Sequence, residues 1–506
     1  MAVLCAGALM VILDGTIVTV ALPAIQTDLG FSAADLTWTV NAYMITFGGL
    51  LLLAGRLGDL IGRRRVLVAG LALFTAASMT CGLARTPAML IGARFVQGAG
   101  GALASAVSLG LIVTLFTDPR ERGRAIAAYS FVGAAGASIG LVLGGVLTQA
   151  LGWHWVFFIN LPIGATAAAL AVRTLDADRG LGLRAGADVA GAVLVTSGLM
   201  LGVSTIVGAA GHGWGSARTL GSGALAIALL AGFVAREATA ARPLLPLRML
   251  RSRAVAGANA IQALMVAAGF AFQVIAVLYM QRVLGYGPAA SGLALAAAAV
   301  SIGTLSLGLS ARLAARFGEP AVLVAGLSAL AVAFWLLTRV PVHGHYVTDL
   351  LPTMVLGGGF GLALPAVTTL GMSGATSSDA GLASGLFNTT QQIGAALGVA
   401  ALTTLAASRT GHLLATGHTR AAALTGGYHL AFGAGAALVA AAMALALAVL
   451  GPRARSRPEA RTRTRENPLV VGRPPGHGDG VGIPPAGDVS ARCPRPASGR
   501  PESRRC

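Results

Sequence analysis

Lysine is absent from this 506-residue chain, and all 36 of its basic residues are arginine. Without lysine no G-x-x-x-x-G-K-[ST] phosphate loop can form, so ATP-driven work by this chain is excluded. Charge of either sign is scarce. Charged residues make up 11% of the chain, against about a quarter in soluble domains. Hydrophobic residues make up 55% and the mean hydropathy is +0.77. Such a chain cannot cover a surface with charge, so an ordinary soluble enzyme is excluded, as is disorder for its bulk. Its four cysteines, Cys5, Cys81, Cys493 and Cys506, show neither metal-ligand spacing nor a disulfide framework. The 70 glycines follow no G-X-Y period, which points to closely packed membrane helices rather than collagen. What is left is an all-α polytopic membrane protein.

A membrane helix needs about 20 mostly apolar residues. Fourteen such runs stand near 3–23, 40–57, 66–84, 88–114, 125–150, 155–172, 188–209, 220–235, 254–280, 290–311, 320–339, 349–372, 382–407 and 428–450. The first has no basic n-region and no clear cleavage site, so it reads as a retained span rather than a signal peptide. The usual cytoplasmic residues ahead of it are missing, which leaves room for a start further upstream.

Arginine orients the bundle, since loops on the cytoplasmic side carry the positive charge. With the N-terminus inside, 17 loop arginines fall inside and 6 outside, and the tail falls inside too. The expectation is a bacterial cytoplasmic-membrane protein with both termini cytoplasmic. The tail, 451–506, carries 12 arginines against 5 acids. It is rich in Pro, Gly, Arg and Ser, and reads as a disordered basic segment. The net charge of +18 lies between apolar runs and in this tail, so membrane topology explains it better than nucleic acid does.

The chain repeats itself. Gly55-Arg-Leu-Gly-Asp-Leu-Ile-Gly62 follows the second run, and Ala311-Arg-Leu-Ala-Ala-Arg-Phe-Gly318 follows the tenth, an offset of 256. Ile139-Gly140-x-x-Leu143-Gly144 is echoed by Ile393-Gly394-x-x-Leu397-Gly398 at 254. Both echoes shift the span number by eight. Six-span halves would shift it by six, so two spans are inserted. The predicted units are 1–173, a six-helix bundle; 174–253, two inserted helices with linkers; 254–450, a second six-helix bundle; and 451–506, the tail. The arrangement is six plus two plus six.

Asp14 lies mid-span. An ionised carboxylate there costs about 2.5–3.5 kcal/mol, so it needs a partner, water or a proton. Such a group can take a proton from one side and release it to the other; a packing hydrogen bond to Thr16 or to a neighbouring span is the plainer reading. Arg94 is the other buried charge. It is always protonated and can act only on a carboxylate or a water chain, with Asp14 its natural partner. Gln97, at i+3, shares its face.

Gly55, Gly58 and Gly62 let backbones approach, and Asp59 can cap or pair with arginines at a helix end. A breakable contact there can lock one state of a rocking bundle, while Arg63, Arg64 and Arg65 read first as membrane anchors. Gly136, Gly140 and Gly144 form a doubled GxxxG face for tight helix contact. Asn41, Gln97, Asn259, Gln262, Gln273, Asn388, Gln391 and Gln392 mark a candidate cavity, with interhelical hydrogen bonds as the alternative. The histidines show no convincing metal spacing.

Several motifs in order resemble the major facilitator superfamily, in its fourteen-helix drug:proton antiporter branch (EmrB/QacA-like). Leu13-Asp-Gly-Thr-Ile-Val-Thr-Val-Ala-Leu-Pro23 is similar to that branch's first-span motif. Trp38-Thr-Val-Asn-Ala-Tyr43 resembles the start of its second span, and Gly55 to Arg65 the superfamily loop signature. Arg94-Phe-Val-Gln-Gly98 resembles the fourth-span motif, and Gly136-x-x-x-Gly140 through Gly144-Gly145 the antiporter motif. Trp153-His-Trp-Val-Phe-Phe-Ile-Asn-Leu-Pro-Ile-Gly164 resembles the start of the sixth span. One departure is Leu141, where the antiporter motif commonly has Pro; the kink expected of span five is weakened.

The resemblance implies the major facilitator fold and export of lipophilic drugs or antibiotics in exchange for protons. Asp14 and Arg94 would couple the proton, Gly55, Gly58, Asp59, Gly62 and Arg63 would gate, and Gly136, Gly140, Gly144 and Gly145 would seal against leak. No cofactor is expected, the proton gradient being the energy source. The partners are protons, lipid and a small lipophilic substrate, without nucleic acid, and a monomer is favoured. With only Asp349 offered as an acid in the last six spans, near a span end, the expected substrate is neutral or weakly charged. Export of an endogenous metabolite or siderophore is the alternative; a sensor or membrane enzyme is remote.

Overall fold

The computed structural model describes residues 1–450 apart from 33–34, 117, 177, 179, 183–187, 241–242, 245–251 and 373–379. The predicted tail 451–506 lies outside the described residues, as do Arg179, Arg184, Arg242, Arg248 and Arg251 of the predicted inner loops. No strand occurs among the described residues.

Fourteen long helices follow the fourteen apolar runs. The first six are α1 (Ala2–Leu29), α2 (Trp38–Ile61), α3 (Arg63–Gly82), α4 (Pro87–Leu115), α5 (Pro119–Leu151) and α6 (Trp155–Thr174). Next come α7 (Val189–His212) and α8 (Ala217–Thr239). The last six are α9 (Arg253–Arg282), α10 (Pro288–Phe317), α11 (Glu319–Leu337), α12 (Tyr346–Met372), α13 (Ala380–Ala415) and α14 (Arg420–Leu450). Thirteen are long and apolar enough to cross a bilayer. The other, α5, opens on Arg120, Glu121, Arg122 and Arg124, and its apolar stretch is Ala135–Leu151.

Helix ends follow their sequences. Thr86 caps α4, its hydroxyl accepting from the Met89 amide at 3.2 Å, with Pro87 at the first helical position. Ser216 caps α8 by accepting from the Thr219 amide. Gly30 ends α1 in the left-handed region, at φ 70°.

The helix pairing recurs eight helices on. α1 packs against α4, α5 and α6, α2 and α3 against α4, and α3 against α6. In the same way α9 packs against α12, α13 and α14, α10 and α11 against α12, and α11 against α14. The two sets meet where α5 lies on α10 and α2 on α13. α7 and α8 pack on each other, with α7 against both α2 and α13.

Both sequence echoes have structural counterparts. Gly62, between α2 and α3, has φ 101°, and Gly318, between α10 and α11, has φ 84°. Side-chain-bearing residues rarely adopt that region, so the turn at the end of each echo requires glycine. The Ile-Gly-x-x-Leu-Gly pair makes one contact twice. A Cβ on Gly144 would stand 2.5 Å from the Ile17 carbonyl of α1, and one on Gly140 would press on Thr16. A Cβ on Gly394 would stand 2.9 Å from the Ala263 carbonyl of α9, and one on Gly398 would press on the Ala267 carbonyl. α5 runs unbroken through Leu141, whose carbonyl packs against Gly292 of α10.

These contacts give a stability prediction. Gly144→Leu and Gly398→Leu each push a side chain into a neighbouring backbone, and overpacking of this kind costs roughly 1–3 kcal/mol. Both variants are expected to melt earlier than the native protein in detergent. Gly303→Ala, with nothing within 4 Å of its added Cβ, is expected to hold or raise the Tm.

Candidate functional site

Four helices bring polar groups to one buried point. α1 supplies Asp14, α3 Ser78, α4 Arg94 and Gln97, and α6 Asn160. Asp14, Ser78, Gln97 and Asn160 have no exposure and Arg94 has 1%. Arg94 Nη1 donates to Asp14 Oδ2 at 2.5 Å and to Gln97 Oε1 at 2.6 Å. Gln97 Nε2 donates to Asp14 Oδ1 at 2.8 Å and Asn160 Nδ2 donates to the same oxygen at 2.9 Å. Ser78 Oγ accepts from Gln97 at 2.7 Å and passes its own hydroxyl to the Phe74 carbonyl at 2.8 Å.

The guanidinium is held on its other sides as well. Arg94 Nε donates to the Thr39 carbonyl at 2.8 Å. Its Cζ lies 4.4 Å from the centre of the Tyr43 ring and 5.8 Å from that of Phe157, where ring quadrupoles favour a cation. The carboxylate thus accepts three charge-assisted or amide hydrogen bonds, and this offsets the removal of two charges from water. Thr16 does not contribute: its hydroxyl turns back to the Leu13 and Ile12 carbonyls of its own helix.

Gln97, expected both on the Arg94 face and among the cavity residues, has both ends of its amide engaged in this cluster. Asn160, Ser78 and Tyr43 are cluster residues that sequence reasoning did not assign. Asn160 and Tyr43 stood inside quoted motifs, and an amide within an apolar run was a usable signal. Ser78 gave none.

The α2–α3 turn forms a second group of contacts. Asp59 Oδ1 pairs with Arg63 Nη2 at 3.3 Å, with 44% and 32% side-chain exposure, so the pair is worth little by itself. Arg63 Nη1 also donates to the Gly110 carbonyl of α4 at 3.1 Å. Gly58 passes α4 closely, a Cβ there standing 2.5 Å from Val107. Gly55 meets only ordinary contact, with Ala106 at 4.0 Å.

Asp178, in the linker after α6, was not foreseen. Its carboxylate accepts from the Arg63 amide at 2.6 Å and the Arg64 amide at 3.2 Å, capping α3 from a distant part of the chain. The Leu181 and Gly182 amides donate to the Asp59 and Leu60 carbonyls, each at 2.9 Å. Arg64 extends its guanidinium to the Val172 carbonyl of α6 at 2.5 Å.

Gly136, Gly140 and Gly144 face α1, and Gly145 faces the start of α10 at Pro288 and Ala289. Among the remaining cavity candidates, Gln273 lines a cavity of about 130 Å³ between α9, α10, α11 and α12. Asn41 is fully buried with neither amide atom hydrogen-bonded to a described residue, and Gln262 is buried with Oε1 in the same state. Asn259 joins helices, accepting from Thr390 of α13 at 2.9 Å and donating to Val255 at 2.8 Å. On α13, Asn388 is exposed, Gln391 and Gln392 are half-buried, and Gln392 touches Gly48 of α2. Among the described residues no cluster of His, Cys, Asp and Glu is placed to hold a metal ion.

Known proteins share this architecture and sequence. Residues 4–399 match the family model of the Major Facilitator Superfamily. The puromycin resistance protein pur8 of Streptomyces alboniger is 37% identical over 429 residues, covering 84% of this chain and 85% of that protein. The cephamycin export protein CmcT of Amycolatopsis lactamdurans is 38% identical over 411 residues, covering 80% and 84%. In fold, the chain is similar to an auto-inhibited POT family peptide transporter, at TM-score 0.64 and 17% identity over 91% of this chain and 98% of that one. A bacterial homolog of the human lysosomal transporter Spinster aligns at TM-score 0.62 and 16% identity, over 88% and 95%. The chain belongs to the Major Facilitator Superfamily, and is a multi-pass membrane transporter rather than an enzyme.

Proposed function

We propose that this protein exports amphipathic antibiotics or drugs across the bacterial cytoplasmic membrane in exchange for protons, by alternating access. The observation that carries the reading is the buried pair of Asp14 and Arg94, the one ion pair among the described residues with both partners nearly inaccessible. Arg94 holds its charge throughout, so a proton arriving at this cluster can be taken only by the carboxylate. Protonation cancels the attraction that ties α1 to α4 and leaves Gln97 and Asn160 to rearrange around a neutral acid. Breaking a buried pair on one side costs roughly 3–5 kcal/mol, enough to shift a two-state bundle decisively.

The recurrent helix pairing supports an arrangement of six plus two plus six helices, with α7 and α8 inserted. Arginine distribution supports cytoplasmic termini. In that orientation the Asp178 linker and the α2–α3 turn lie at the inner face and act as a latch. Substrate enters from the cytoplasm or inner leaflet, leaves outward, and a proton from outside resets the carrier. No cofactor takes part, and one chain suffices. The resistance and export roles named for the puromycin and cephamycin relatives favour this cargo over an endogenous metabolite.

The test is substrate-dependent proton flux in liposomes loaded with a pH dye, with a panel of lipophilic dyes and antibiotics. Native protein is expected to move protons when a transported compound is present, and Asp14→Asn to lose that flux. Flux that survives in Asp14→Asn would place coupling elsewhere. For the latch, Asp178→Ala removes a helix cap worth about 0.5–2 kcal/mol. It is expected to lower the Tm and alter the transport rate severalfold while substrate affinity holds, read by thermal melting and initial-rate uptake.

A further inference from the structure

A cavity of about 250 Å³ lies between the two sets of helices, bounded by α1, α2, α9, α13 and α14. Its wall is mostly aliphatic, from residues such as Leu22, Val40 and Val399. Arg282, in the last turn of α9, is its one charged residue, and Tyr428 of α14 stands beside it. Arg282 Nη2 is buried and hydrogen-bonds to no described residue. No carboxylate among the described residues forms an ion pair with Arg282. Tyr428 is 3% exposed, and its hydroxyl lies within reach of the Arg282 guanidinium, with no closer hydrogen-bond partner among the described residues.

The acids of the neighbouring α1–α2 connection are engaged elsewhere. Asp28 accepts from Trp153 Nε1 at 2.9 Å and Asp35 accepts from Ser32 Oγ at 2.7 Å. The tyrosine ring is fixed, meeting Tyr279 edge-on at 6.4 Å between centroids. A buried phenol and a half-buried guanidinium, close enough to interact with each other, therefore both line the apolar space. A half-buried cation on an apolar wall, with a phenol beside it and no carboxylate partner among the described residues, favours the approach of an anion. An apolar chamber with a few convergent polar groups is the usual form of a small-molecule site.

We propose that this chamber binds amphipathic monoanions, with the carboxylate or other anionic head on Arg282 and Tyr428 and the apolar body along α1, α2 and α13. The guanidinium donates charge-assisted hydrogen bonds and the phenol adds a neutral one. A cationic amphiphile of the same shape is repelled. The inference deepens the export reading and rests on it for the direction of passage, the chamber being a station on the exit path. The binding itself requires no gradient.

The experiment uses the full chain in lipid nanodiscs without a proton gradient. Radiolabelled 1-naphthaleneacetate is the anionic probe, and 1-naphthylmethylamine carries a similar ring with the opposite charge. The acid is expected to bind saturably and more tightly than the amine. Arg282→Gln is expected to weaken the acid about ten- to a hundredfold, the loss of a hydrogen bond to a charged group. Arg282→Lys should keep binding within severalfold, and Tyr428→Phe should lose a few-fold.

Equal affinity of the native protein for acid and amine, or undiminished acid binding in Arg282→Gln, would overturn the proposal. The native comparison and Tyr428→Phe decide it even if Arg282→Gln does not fold. Failure of these binding results with substrate-linked proton flux intact overturns this site alone. Intact anion binding without any such flux overturns the export reading alone.

Discussion

An ion pair sealed inside a membrane bundle constrains everything around it. Asp14 and Arg94 could not both be charged in that interior without each other and without the amides of Gln97 and Asn160. The cluster therefore fixes the approach of α1 to α4 and α6, and requires Ser78 of α3 to complete the amide network. Because the arginine keeps its proton, the carboxylate is the partner whose charge can change. A single protonation then alters the contacts of four helices at once, and this makes the pair suited to drive a conformational exchange as well as to hold a fold.

In the proposed exchange the rest of the architecture supplies closely packed helix pairs. Glycines on α5 and α13 bring these helices onto the backbones of α1 and α9, so that each half carries one closely packed pair built from the same short motif. Those same helices, α5 and α13, also meet the opposite half. In the proposed cycle a movement generated at α1 would pass directly to the seam where α5 meets α10 and α2 meets α13. The Asp178 contacts tie the α2–α3 turn to the segment that leads to α7 and α8, and α7 rests on the α2–α13 seam. In the proposed rocking motion α7 is accordingly braced against the elements whose contact changes.

Much of this was legible in the sequence. Fourteen apolar runs and a repeat offset of about 255 residues (256 and 254) were enough to expect a duplicated helical bundle, since hydropathy and periodicity act locally along the chain. Asp14 and Arg94 were visible because charge is rare in spans. Their partners were less so. Gln97 read both as a neighbour of Arg94 on one face and as a cavity residue, since an amide in a span signals polarity without saying whether its partner is protein or ligand. Ser78 is too small and too common in helices to stand out. Asp178 caps a helix whose start lies 115 residues earlier, a relation that only folding creates. Arg282 is one of the six loop arginines counted outside, and only the positions of α13 and α14 place it on an apolar chamber.

The central claim is that Asp14 exchanges its bond to Arg94 for a proton during the cycle. Difference infrared spectroscopy of the reconstituted protein, recorded on adding and removing a transported compound, tests this most directly. The account predicts a carboxylic-acid C=O band that appears when substrate leaves, disappears when it binds, and is missing in Asp14→Asn. A band unchanged by Asp14→Asn, or no carboxyl change in a protein that transports, would contradict it.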